Sequence, residues 1–74
     1  MQSMNRETRW VVGMQVRGVA VSVDVQKSIV KLWGDGCSDA ELAVRFRQRN
    51  TKLSRLQCQA VVASVLAVCV RNPY

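Results

Sequence analysis

The sequence predicts a mainly α domain: three helices, with a short β segment ahead of them. Three observations carry this. Val25, Ile29, Leu32 and Trp33 fall at i, i+4, i+7 and i+8, which is one face of a helix. Ser38-Asp39-Ala40-Glu41 has the form of a capping box: the serine oxygen accepts from the backbone at Glu41, and Glu41 reaches back. Between them, Gly34-Asp35-Gly36-Cys37 is a glycine-containing turn of the length that joins two crossing helices.

Taken in order, residues 1–9 lack apolar periodicity and read as a flexible tail, leaving 10–74 as a single small domain. Val19, Val21, Val23 and Val25 alternate with Ala20, Ser22 and Asp24, which is strand spacing, and Trp10 to Val16 is also β-prone. Arg17-Gly18 can turn the chain between them. Either a hairpin packed on the helices or an arm that orders on a partner fits, and some extended structure is expected. The first helix runs from Asp24 to Trp33, with Ser22 or Asp24 as its cap and Gly34 or Gly36 in the left-handed conformation that ends it. Gln26, Lys27 and Lys31 are expected to point away from its apolar face. The second runs from Ser38 to about Arg47, with Leu42, Ala43 and Phe46 inward and Asp39 and Glu41 at the positive end of the helix dipole. Residues 47–52 are either inserted loop or an extension of this helix ending at Asn50.

The third helix starts near Ser54 and continues to about Val70. Leu56 is expected at the helix junction, Cys58, Val61 and Val62 inward, and Arg55, Gln57 and Gln59 outward. Ala60 to Val70 is apolar on nearly every face and must be covered on several sides. The N-terminal segment, a second copy or a partner can supply that cover. The valine-rich end also suits a strand. Pro73 ends regular structure.

The totals narrow the function. The net charge is +6 and the pI about 10.1, which favours an acidic partner. With no histidine and no C-x-x-C pair among Cys37, Cys58 and Cys69, neither a metal site nor a cofactor is expected. Three cysteines cannot close into pairs, which fits a reducing compartment, and a cytoplasmic location is expected. The longest uncharged apolar run has 11 residues, short of the ~20 that span a bilayer, so no membrane role is expected. Catalysis is not expected either. The five acids, Glu7, Asp24, Asp35, Asp39 and Glu41, are spread over surface and caps, and no serine has a base.

The run Ile29-Val30-Lys31-Leu32-Trp33-Gly34-Asp35-Gly36-Cys37-Ser38-Asp39-Ala40-Glu41-Leu42-Ala43 resembles the first two helices of helix-turn-helix transcription regulators, and the resemblance extends over residues 24–62. It implies a helix-turn-helix-like domain and DNA as the partner. About seven residues separate Phe46 from Ser54, more than the family's tight turn. Arg45, Arg47, Arg49, Lys52 and Arg55 lie within 11 residues without an acid, and arginine pairs bidentately with phosphates, guanine edges and carboxylates. The resemblance implies phosphate contacts from Arg47, Arg49 and Lys52 and base contacts from Arg55, Gln57 and Gln59. Arg6, Arg9, Trp10 and Arg17 form an accessory arm, and the apolar third helix suggests a homodimer. The alternative comes from a looser likeness of size and charge. The chain is similar in type to small phage-encoded transcription regulators that bind host RNA polymerase, a protein–protein interaction.

Overall fold

A computed structural model of the chain describes residues 8–70. Its elements are β1 (Met14–Val16), β2 (Val19–Val21), α1 (Val23–Gly34), α2 (Asp39–Arg49) and α3 (Arg55–Cys69). The domain is mainly α, with the β segment in place. Residues 1–7 of the expected tail, including Arg6, and Pro73 lie outside the described residues.

β1 and β2 form an antiparallel hairpin in the register Met14↔Val21, Gln15↔Ala20, Val16↔Val19. Its two-residue turn is Arg17-Gly18, with φ +49° and +80°. Positive φ at both positions is the turn whose twist matches that of the flanking strands. The strand alternation then sorts the side chains. Met14 and Val21 are buried with Val16 and Val19 against the core, while Gln15 and Ala20 are exposed.

Each helix begins on a serine. Ser22 accepts from Val25 N–H, while Ser38 and Ser54 each form a complete capping box, with Glu41 and Gln57 respectively. The end of α1 is closed by two backbone bonds, Gly36 N–H to Trp33 O and Cys37 N–H to Leu32 O. Gly36 has φ +105°, so this is a Schellman motif with the glycine where a side chain would be strained. Ser22 and Gly36 are therefore the cap and the left-handed residue among the alternatives the sequence left open. α2 extends to Arg49, and Asn50 caps it with its side-chain amide donating to Phe46 O. The connector to α3 is thus the turn 50–54, not a long inserted loop.

α3 is the central element. Cys58, Val61, Val62, Val65, Leu66 and Cys69 are buried along one broad face. α1, α2 and both strands pack on α3. The N-terminal hairpin is thus part of the cover that the apolar third helix requires, and the valine-rich end stays helical. Covering a helix on three sides removes roughly 1.5–3 kcal/mol worth of apolar exposure per Val or Leu, which outweighs the mild β preference of valine.

Two expectations are corrected. Gln26 does not point to solvent but is fully buried. Its amide nitrogen donates to Val11 O (2.8 Å) and Val21 O (3.0 Å), and its oxygen accepts from Val11 N–H (2.9 Å). An amide side chain carries both a donor and an acceptor, so it can pair with an extended backbone as a neighbouring strand would. Leu56 does not sit at the junction: it is 67% exposed. It precedes Cys58 by two positions, and two helical steps of about 100° turn it to the far side of α3.

Candidate functional site

The basic residues of α2 and the start of α3 are divided by the helix period. Arg45 and Arg49, four apart, line a groove between α1 and α2. Arg47 stands on the other side of α2 and, with Arg55 and Gln59 of α3, lines a second groove of 680 Å³ between α2 and α3. Ala40, Ala43, Val44, Gln48 and Thr51 complete its lining, and no acid is among them. Arg47, Arg55 and Gln59 are exposed there, as is Lys52 in the turn above, which lines neither groove.

Local structure sets these positions. The Asn50 cap stops α2 one residue after Arg49, and Leu53 N–H bonds back to Asn50 O, folding the turn tightly. Arg47 Nε donates to Leu53 O at 3.5 Å, which holds its stem along the turn. Arg47 also lies close enough to Cys58 to matter electrostatically. Burial pushes the Cys58 thiol up, and the Arg47 guanidinium partly opposes that. Burial likewise raises Cys69. Both thiols are the neutral, packed kind, not activated nucleophiles.

Gln57, expected to face outward and read bases, is instead committed to the fold. It is half-buried, its oxygen accepts from Ser54 N–H (2.9 Å), and its nitrogen reaches Arg17 O (3.3 Å). The second capping box, Ser54-x-x-Gln57, was present in the sequence as a signal for this role. The same bond brings the hairpin turn, with the exposed Arg17, to the start of α3.

The accessory arm is not one surface. Arg17 stands at the N-terminal end of α3, whereas Arg9 donates its backbone N–H to Cys69 O at the other end. The 15 residues of α3 separate these by about 20 Å. Trp10 lies under Lys27, with the ammonium 5.9 Å from the ring centroid. Among the described residues, no three His, Cys, Asp or Glu side chains are grouped to hold a metal ion, and no helix is long and apolar enough to cross a membrane. No family model matches the chain, and neither a curated protein nor a solved structure matches it.

Proposed function

We propose that the chain is a small transcription regulator that binds DNA with its α2–turn–α3 unit, acting in the cytoplasm. The observation that carries this is the convergence of Arg47, Arg55 and Gln59 on one groove with no acid in its lining. Lys52 and Arg17 flank the same end of α3. In this reading Arg17, Arg47 and Lys52 hold phosphates, while Arg55 and Gln59, on the exposed side of the first turns of α3, reach base edges. Pairing of two copies through the outer face of α3, at Ala63, Ala67 and Val68, would present two such units, and a light-scattering mass of one chain removes that part of the reading.

Electrophoretic shift of duplex DNA over a salt series tests it. Three phosphate contacts predict a log–log slope of about −2.7, at roughly −0.9 per contact, and Arg47→Ala should flatten it by about one contact's worth. Absence of any shift at low salt removes the reading.

A second reading is the alternative of binding RNA polymerase rather than DNA. It is favoured by Val44 and Leu56, which are 57% and 67% exposed. Val44 lines the arginine groove, and apolar side chains suit a protein partner better than a phosphate backbone. Recovery of polymerase subunits by the tagged chain with nuclease present supports that reading, and a failed recovery counts against it.

A further inference from the structure

The groove between α1 and α2 has a different character from the arginine groove on the other side of α2. It encloses 460 Å³. Its floor is apolar: Ile29 and Leu42 are buried, while Val25, Leu32 and Phe46 are half-buried and still partly open. Its rim is basic. Lys31 stands on the α1 wall and Arg45 and Arg49 on the α2 wall, all three exposed, with Asp24 the one acid in the lining. None of the three cations forms an ion pair or a side-chain hydrogen bond among the described residues.

We propose that this groove binds an acidic amphipathic helix of another protein. Charge complementarity selects the occupant. Arg45 and Arg49 are separated by one helical turn, about 6 Å of rise, which is the spacing of carboxylates at i and i+4 on a facing helix. Lys31 meets acids on the opposite flank of that helix. The open edges of Val25, Leu32 and Phe46 meet its apolar stripe, the arrangement by which grooves take amphipathic helices. A nucleic acid would satisfy the rim and leave the apolar floor wet, which is why the occupant is a protein segment. The inference is independent of DNA binding. The helix period puts Arg45 and Arg49 on one flank of α2 and Arg47 on the other, so a single helix can serve two partners.

The test uses the full chain and a fluorescein-labelled synthetic peptide of about 18 residues, with leucines at i, i+3, i+4 and i+7 and glutamates on both flanks. Anisotropy should report saturable binding. Arg45→Glu with Arg49→Glu should weaken it by about tenfold or more. Arg47→Ala with Arg55→Ala should leave it unchanged. A peptide of the same composition, scrambled so that its apolar stripe is lost, should bind about tenfold more weakly or worse. Both reversed arginines are exposed, so circular dichroism should show an intact fold. Chemical-shift changes at Val25, Leu32 and Phe46 in the unsubstituted chain give a readout that needs no variant. Absence of peptide binding overturns the proposal, as does equal binding of the scrambled peptide or of the charge-reversed chain. Loss of duplex binding by Arg45→Ala with Arg49→Ala, as severe as that from Arg47→Ala with Arg55→Ala, overturns it in favour of one continuous nucleic-acid surface. A chain that binds the peptide and no duplex removes the DNA reading alone.

Discussion

Replacing Gln26 by leucine tests how the N-terminal segment is held on the helices. The substitution keeps the approximate volume and removes every hydrogen bond of the side chain. Val11 loses partners for both its N–H and its carbonyl, and Val21 loses one for its carbonyl. The contact from Cys69 Sγ at 3.6 Å goes as well. A buried polar group left unpaired costs about 1–3 kcal/mol. Val11 is half-buried and can regain water if the segment lifts away, so the total falls near the low end for three groups, about 3 kcal/mol. For a 74-residue chain the whole folding stability is roughly 4–11 kcal/mol. Thermal unfolding by circular dichroism should therefore drop by roughly 12–24 °C. Hydrogen exchange at the Val11 amide should accelerate more than exchange in the centre of α3. Gln26→Glu should be less stable still at neutral pH, because its carboxylate would face two carbonyl oxygens without the amide's protons. Protonation restores a donor. The folded-state pKa of this carboxyl is therefore raised, and stability present at low pH is lost as pH rises. A Gln26→Leu chain within about 0.5 kcal/mol of the parent, with the Val11 amide still protected, would refute the account.

Four further outcomes are expected. Ser54→Ala should cost about 1 kcal/mol by removing the acceptor for Gln57 N–H, and Ser38→Ala a similar amount at α2; urea unfolding of the two single variants and the double should show near-additive losses, since the caps share no partner. Arg17→Asn should stabilise the hairpin by roughly 0.5–1 kcal/mol, because asparagine tolerates the left-handed conformation that Arg17 adopts at φ +49°; an unchanged or lower melting temperature contradicts this. Under native conditions a thiol reagent should modify the half-buried Cys37 first and reach Cys58 and Cys69 only on unfolding. Because burial raises both buried thiols, the unfolded chain ionises near pH 9.0 while the folded chain keeps its protons, so stability present below that pH is lost above it. Cys58→Ala with Cys69→Ala should flatten that alkaline decline, as read from urea midpoints at a series of pH values.

Much of the architecture was legible in the residues. Val25, Ile29, Leu32 and Trp33 marked the inner side of α1, and Ser38 with Glu41 marked the start of α2. Arg17-Gly18 marked the hairpin turn. The candidate site was only partly legible. The run from Arg45 to Arg55 reads as one cluster in sequence, and the fold separates it onto two flanks of α2. Gln57 read as a free amide on an exposed helix start, yet Ser54 three residues earlier already supplied the reason for its engagement in a cap.

What the sequence by itself determined are the features that depend on neighbours within about four positions: the starts of α2 at Ser38 and α3 at Ser54, a glycine end to α1, Arg17-Gly18 as a turn, and Cys58, Val61 and Val62 as the inner side of α3. These follow from backbone hydrogen bonding and helical period, which involve no distant residue. The tertiary structure alone decided where Gln26 goes, which side of α3 Leu56 takes, and which arginines share a groove. Each of those depends on how α1, α2 and the hairpin are disposed around α3. Gln26 is buried because Val11, fifteen residues away, offers it an unpaired backbone. Arg47 meets Arg55 because the turn at 50–54 folds α2 back along α3, a placement that no local periodicity specifies.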